Sequence, residues 1–435
     1  MEVLTLLEVI AVLWVTYLVV TWWLERGRLS QLTDKTVLIT GCDTGFGNLL
    51  ARRLDQLGLR VFAGCLTEAG VAELRQSCSE RLQPIQMDVT SSDSVQDAFK
   101  VVKEAVGSKG LWGLVNNAGV PNVGGGIMEW ATKEDYQAVL NVNLLGMIDV
   151  TKTFLPLLKR SRGRVVNVAS ISGRLSVPAG PYSVSKFGVE AFSDSLRRAM
   201  RCFGVKVHII EPGFSRTKMT EPELLNRRLD NAWKRLSPET KAEYGEGFLL
   251  ASKDDGEAPS YLMIPEDPVV AVDAMEHALC ATHPRSRYVI GWLARFIAVP
   301  TSWLPTDLGD LVIRISRCHT VTTAEDIMAD IMADIMADIT METITTETII
   351  MVAFLRIMAA FLRIIMAVLT IPTTGRLDHL STSDLTTRLT TPVLTLHSSL
   401  TTILTIIITM VTVAMTTSAA SSCEGSDGKS KNRRN

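Results

Sequence analysis

Residues 36–58 read TVLIT-GCDTGFG-NLLARRLDQLG. Thr36–Thr40 is an unbroken run of β-branched and apolar residues, the pattern of a strand covered on both faces. From Asn48 to Leu57 the pattern becomes helical. Between them lies Gly41-Cys42-Asp43-Thr44-Gly45-Phe46-Gly47, spaced G-x-x-x-G-x-G rather than G-x-G-x-x-G. The physics of the two spacings is shared. Glycines permit a tight turn and let the backbone approach a pyrophosphate resting at a helix N-terminus. Three glycines in a loop also make an ordinary turn; the strand before and the helix after favour the dinucleotide reading.

The same alternation continues outward. Arg60–Cys65, Pro84–Asp88, Leu111–Asn116, Arg164–Ser170, Val205–Glu211 and Arg287–Ile290 read as further strands, with helical stretches at Ser92–Val106, Lys133–Leu158 and Ser183–Phe203. This pattern predicts an α/β fold: a doubly wound, mostly parallel, Rossmann-like sheet with helices on both faces. The catalytic domain is expected over residues 34–313.

A 2′-phosphate on the cofactor would call for a nearby Arg or Lys. The turn has none and carries Asp43, which would repel a phosphate; Gly64-Cys65-Leu66-Thr67-Glu68, at the end of the next strand, also lacks a base. NAD is therefore expected over NADP, with Glu68 either a ribose partner or a solvated loop acid.

Tyr182-Ser183-Val184-Ser185-Lys186 places a tyrosine and a lysine on one helical face. A phenol ionises near pH 10, too high for an efficient base at neutral pH, and a neighbouring ammonium is expected to lower that value. Tyr and Lys at this spacing are common by chance, so context matters. Ser170 ends the strand GRVVNVAS, where open α/β sheets bind ligands. Ser172 competes for that role; the Ser170-x-x-Gly173 spacing favours Ser170.

Composition sets the remaining bounds. Of 435 residues, 47% are hydrophobic and the net charge is −2, so a large core can form and nothing in the charge suggests a nucleic-acid partner. Seven cysteines show no C-x-x-C spacing, so no metal site or dithiol motif is expected. Val3–Leu24 is an apolar run interrupted by Glu8, and about 20 such residues span a bilayer. Tyr17, Trp22 and Trp23 suit the interface. With no basic segment before it and no small-residue cleavage site after it, residues 1–25 read as a retained anchor rather than a signal peptide. Arg26, Arg28 and Lys35 follow the run, which places the bulk of the chain in the cytosol by the positive-inside rule. Residues 321–435 differ in kind: IMAD occurs three times between Ile327 and Asp338, AFLRI nearly recurs, and Thr, Ile, Leu and Met dominate. They read as low complexity, disordered or a gene-model extension, rather than as a domain.

TGCDTGFG, Asn116-Asn117-Ala118-Gly119, Asn143-Leu144-Leu145-Gly146, Ser170, the Tyr182/Lys186 pair and Pro212-Gly213 occur together in one order. In this the chain resembles the short-chain dehydrogenase/reductase family. Through GLWGLVNNAG, GRVVNVASISGRL, YSVSKFGVEAFSDSLRR and IIEPGF, it resembles the membrane-bound retinol dehydrogenase group, which includes 3α-hydroxysteroid dehydrogenases. The resemblance covers Met1–Ile313. It implies that Tyr182 is the general base in oxidation, that Lys186 binds the nicotinamide ribose and lowers the tyrosine pKa, and that Ser170 orients the substrate oxygen. It implies that Asn143 holds a relay water. Gly41, Asp43, Gly45, Phe46 and Gly47 would line the cofactor, and Asp88 would reach the adenine. Asn116 would pack along the cofactor and support the sheet, Ala118 and Gly119 would pack along the cofactor, and Pro212, Gly213 and Thr217 would close its nicotinamide side. No metal is required, because hydride passes directly.

The implied activity is retinol-to-retinal interconversion, with a 3α- or 17β-hydroxysteroid as the alternative substrate and a non-catalytic membrane-bound protein on the same fold as the reading from another class. Expected partners are a retinoid or steroid, membrane lipid and a second copy in a homodimer. The expected location is the endoplasmic reticulum, although some similar enzymes face its lumen. Phe214, Met219, Trp233, Phe248, Leu249, Leu250, Tyr261, Leu262 and Met263 either line a lipophilic pocket or pack lid helices. Trp292–Trp303 is either a second membrane contact or a packed surface segment, and His208 and His277 read as structural.

Overall fold

The computed structural model describes residues 12, 13, 16, 17, 19–121, 127–176, 180–215, 221–257 and 266–317. Thr217, Met219, Tyr261, Leu262, Met263 and the tail 321–435 lie outside the described residues, as does half of the N-terminal run.

Seven parallel strands form one sheet: β1 (Thr36–Thr40), β2 (Arg60–Cys65), β3 (Leu82–Gln86), β4 (Gly113–Asn116), β5 (Arg164–Val168), β6 (Lys206–Pro212) and β7 (Arg287–Ile290). Their order is β3-β2-β1-β4-β5-β6-β7. Each predicted strand is present, with two ends that matter for the site. β3 stops at Gln86, not Asp88, and β5 stops at Val168, not Ser170, so both side chains sit in the loops beyond the strands.

Alternate residues face opposite layers, as a period of two requires. Val37, Ile39, Val61, Ala63, Val115 and Val166 face one core with helices α1 (Gly45–Gln56), α2 (Glu68–Ser77) and the helix Pro268–Cys280. Leu38, Phe62, Leu114 and Val165 face the other core with α3 (Ser92–Val106), α4 (Lys133–Ser161) and α5 (Pro181–Met200). α6 (Pro222–Arg235) and α7 (Pro238–Glu257) follow β6; α7 is broken at Gly245, whose φ is +75°. α8 (Pro268–Cys280) precedes β7, and α9 (Thr306–Arg317) ends the described chain.

The helix predicted from Lys133 to Leu158 is one rod interrupted by a π-turn at Asn141–Gly146. Among the described residues it is the one helix long and apolar enough to cross a membrane, but Val150, Phe154, Leu157 and Leu158 are spent on the sheet. The described residues of the N-terminal run are helical, and Val12, Leu13, Tyr17, Val19, Val20, Trp22 and Trp23 are all exposed. The chain following them is fixed to the domain: Leu29 N–H donates to Cys280 C=O at 2.8 Å, Thr282 N–H donates to Gly27 C=O at 2.8 Å, and Arg285 holds Glu25 through both carboxylate oxygens at 2.7 and 2.5 Å.

Phe154 is fully buried and meets Phe99 edge to face, with ring centroids 5.4 Å apart. Phe154→Ala removes that contact and leaves a cavity between α4 and the sheet. It is expected to lower stability by about 3–5 kcal/mol, read as a shift in the denaturant midpoint.

Candidate active site

The turn after β1 takes its shape from two backbone demands. Gly41 has φ +70°, and a Cβ there would lie 2.7 Å from Ala118 Cα. Gly47 passes so close to the turn that a Cβ would lie 2.4 Å from Gly41 O and 2.5 Å from Asn117 Nδ2. The ends of β1 and β4 are laced by side chains. Thr40 Oγ1 accepts from the Asn117 and Ala118 amides at 3.1 and 3.0 Å, and Asn117 Nδ2 donates to the Thr40 and Gly41 carbonyls at 2.9 Å each.

A cavity of about 430 Å³ opens at this carboxyl edge of the sheet. Of the residues expected at the cofactor and the substrate, Gly41, Asp43, Gly45, Phe46, Asp88, Ala118, Gly119, Ser170, Tyr182, Lys186, Pro212 and Gly213 line it. Three predicted residues do not. Gly47 sits beneath the turn and shapes it. Asn116 points into the sheet, donating to Thr151 Oγ1 at 2.9 Å and Asn167 Oδ1 at 2.8 Å, while its neighbour Asn117 reaches the cavity. Asn143 is buried behind the wall: Val120 N–H donates to its Oδ1 at 2.8 Å, and its Nδ2 donates to Val120 O and Ser185 Oγ at 3.0 Å each.

The cradle suits a dinucleotide. Gly45 is left-handed, with φ +66°, at the start of α1, and a Cβ there would meet nothing within 4 Å, so the helix N-terminus is open to an anionic group. Asp43 does more than carry charge. Its carboxylate accepts from the Leu66 amide (2.8 Å), the Thr67 amide (2.9 Å) and Thr67 Oγ1 (2.6 Å), which ties the turn to the end of β2. Leu66 and Thr67 thereby become cavity walls, whereas Glu68 is exposed at the start of α2 and is not a lining residue. Asp88 folds onto its own loop, accepting from Thr90 N–H at 2.8 Å and Thr90 Oγ1 at 2.7 Å.

Across the cavity, Tyr182 is hydrogen-bonded to Ser170. Ser170 Oγ also accepts from Ser172 N–H at 3.1 Å; Ser172 itself is buried and does not line the cavity. Lys186 Nζ donates to Val168 O at 2.8 Å and lies 5.5 Å from the centre of the Tyr182 ring. The expectation that the lysine lowers the phenol's pKa is not met by the chain alone. Burial raises the Tyr182 value, and the Ser170 hydrogen bond only partly offsets it. Burial also pushes Lys186 down to about 8, against the pull of Glu190.

Residues expected near the substrate divide. Trp233 and Leu249 pack with Trp130 and Leu229 in a small core of their own; Phe248 and Leu250 are exposed, and none of them lines the cavity. His208 is buried with Nδ1 2.6 Å from Arg285 O, and burial drops its pKa to about 4. His277 bridges Tyr288 and the Glu25 carbonyl at 2.8 Å each. Both histidines are structural ties. Among the described residues no cluster of ligating side chains is arranged for a metal.

A parallel sheet with a glycine cradle at its carboxyl edge and Ser, Tyr and Lys facing that cradle has the build of a dinucleotide-dependent oxidoreductase. A family model described as short chain dehydrogenase matches residues 35–227. The chain is 50% identical to human (Homo sapiens) retinol dehydrogenase 16 over 302 residues, covering 68% of this chain and 93% of that protein. It is 52% identical to retinol dehydrogenase 7 of Rattus norvegicus over 66% of this chain and 90% of that protein. It is 48% identical to 17-beta-hydroxysteroid dehydrogenase type 6 of Bos taurus, over 70% and 95% respectively. A solved short-chain dehydrogenase from Streptomyces avermitilis is 25% identical with a TM-score of 0.48, over 61% of this chain and 90% of that one. The chain belongs to the short-chain dehydrogenase family and, within it, to the retinol dehydrogenase group.

Gly47→Ala would drive a methyl group into Gly41 O and Asn117. The turn is expected to shift, costing about 1–3 kcal/mol of stability and weakening dinucleotide binding. Thermal melts and NADH fluorescence titration check both effects.

Proposed function

We propose that this protein is a membrane-anchored, NAD-dependent dehydrogenase of lipophilic alcohols, oxidising retinol to retinal. The observation that carries the chemistry is the convergence of Ser170, Tyr182 and Lys186 on one wall of the dinucleotide cavity. The relatives at about half identity carry the substrate class. A 17β-hydroxysteroid is the second reading, favoured by the relative of that name at nearly the same identity.

The geometry supports the following roles. Ser170 holds the alcohol oxygen, and Tyr182, hydrogen-bonded to Ser170, takes the hydroxyl proton as the C–H bond breaks. Bound NAD supplies the hydride acceptor. Lys186, anchored on the Val168 carbonyl, presents its ammonium to the ribose hydroxyls and stabilises the phenolate electrostatically. Both amide protons of Asn143 are committed to Val120 and Ser185, so its part in a proton relay must run through an oxygen. Gly41, Gly45 and Phe46 bound the pyrophosphate, and Asp88 bounds the adenine end.

The preference for NAD rests on charge. Asp43, Leu66 and Thr67 form the wall at the end of β2, and the one cation among the described lining residues is Lys186. A 2′-phosphate would meet a carboxylate and no base. The anchor rests on the exposed apolar helix ahead of Arg26, since such a surface is costly in water and favourable in lipid. An endoplasmic-reticulum membrane belongs to the same reading.

Tyr182→Phe removes the proton acceptor and leaves the cavity shape. In membranes carrying the full chain, retinol oxidation is expected to fall by roughly 10²–10⁴-fold, while NADH binding stays. A variant that keeps its turnover would overturn the assigned chemistry. Robust steroid turnover without retinol turnover would reverse the order of the two substrates. NAD is expected to give the higher kcat/KM than NADP; the opposite order would sink the charge argument at Asp43.

A further inference from the structure

A second charged cluster lies directly behind the catalytic wall. Glu190 follows Lys186 by one helical turn on α5, so the two side chains share a face. Glu190 and Glu211, at the end of β6, are both buried and both bound by Arg287 of β7. Arg174 reaches Glu211 at 3.3 Å, and Asp194, a further turn along α5, reaches Arg287 at 3.0 Å. The turn carrying Ser170 is seated on this spot: a Cβ at Gly173 would lie 2.7 Å from Lys186 O and 3.0 Å from Glu190 Cγ.

Packing alone does not call for a carboxylate at 190. An interior position beside another acid is unfavourable for charge, and a hydrophobic residue would fill it more cheaply. What the position offers is a negative charge one turn below a buried ammonium. Lys186 is buried at the cavity wall, and its Nζ is held by a carbonyl, not by a carboxylate.

We propose that Glu190 is the positioning residue for Lys186, an internal counter-charge that holds the ammonium form of the lysine in the buried wall during alcohol oxidation. This rests on the dehydrogenase reading above and names a residue that reading does not use. Arg287 on β7 binds Glu190 directly and also binds Glu211 on β6 and Asp194, Arg174 binds Glu211, and Lys186 and Asp194 lie one turn to either side of Glu190 on its own helix. Burial and the Glu211 charge raise the Glu190 carboxyl, so its negative charge appears as pH rises, when the lysine most needs it. Removing that charge must lower the pH at which Lys186 loses its proton.

The test is competitive acetylation of the full chain with acetic anhydride across pH. The Lys186 peptide is followed by mass spectrometry beside the pH profile of kcat/KM for alcohol oxidation. Lys186 lines the cavity and is open to a small reagent. In Glu190→Gln the Lys186 midpoint is expected to fall by at least about half a pH unit, with the alkaline limb of the profile moving the same way. Asp194→Asn, which also loses an Arg287 contact, should leave both in place. An unchanged midpoint in Glu190→Gln overturns the proposal even if activity drops, since a merely structural role would do that. Should Glu190→Gln not fold, Glu190→Met, which fills a similar volume without charge, decides: a midpoint below that of the wild type supports the proposal and an unchanged one rejects it. A wild-type chain without retinol or steroid turnover would reject the dehydrogenase reading, while the acetylation midpoints still judge Glu190.

Discussion

The carboxyl edge of the sheet depends on how closely β1 and β4 approach at their ends. The strand order turns at this point: β2 and β3 lie to one side of β1, and β4 to β7 lie to the other. Connections leaving two neighbouring strands in opposite directions open a crevice between them. The crevice holds its shape only because Thr40, Gly41, Asn117 and Ala118 are laced across it. A Cβ at Gly41 would part the strands, and the loss of Asn117 would free two carbonyls. Asp43 extends the lacing to β2, so that one loop joins three strand ends.

The opposite wall carries an electrostatic conflict. An efficient proton acceptor at neutral pH needs a phenol easier to ionise than free tyrosine, yet the chain surrounds Tyr182 with protein and pushes it the other way. The same burial weakens the ammonium that should correct this. Low dielectric magnifies whatever charges remain, so few groups decide the outcome: the hydroxyl of Ser170, the carbonyl of Val168 and the buried acids beneath α5. Tyr and Lys at helical spacing are therefore only the visible part of the device. Its surroundings come from β5, through Val168, and from Glu211 on β6 and Arg287 on β7.

This explains which parts of the molecule were legible in the sequence. The seven strands could be read because both faces of a parallel sheet are covered, so most strands are near-continuous apolar runs; β3, Leu82–Gln86, is the exception at the sheet edge. Most cavity residues could be read because they cluster at the strand ends. The rest depended on side-chain direction. Asn116 and Asn117 are adjacent, but the pleat sends one into the sheet and the other to the crevice. The π-turn at Asn141–Gly146 leaves no mark on hydrophobic periodicity, because the rods on either side remain helical. The Glu190–Arg287 pair spans sequence positions 97 apart, and no local pattern announces such a contact.

The cap formed by α6 and α7 follows a different logic from the sheet. Trp130 meets Trp233, Tyr244 and the more exposed Phe248 in tilted and edge-to-face contacts at centroid distances of 5.3–6.0 Å, and Trp130, Trp233 and Tyr244 make a separate small core with Leu229 and Leu249. Arg235 grips Asp135 at the start of α4 with two hydrogen bonds, at 3.0 and 2.7 Å, and Tyr244 reaches Glu129 at 2.6 Å. A core of this size is stabilised by far less burial than the sheet, so α6 and α7 can change without disturbing strand register. The cofactor turn and the Ser-Tyr-Lys wall have no such freedom, since each is pinned by strand ends. Relatives named for retinol and for a 17β-hydroxysteroid lie at 50% and 48% identity to this chain. Two substrate classes on one scaffold require one part that holds the hydride geometry and another that varies. The sheet edge meets the first requirement; α6 and α7 give the cavity no lining residue among the described ones and are packed on a core of their own.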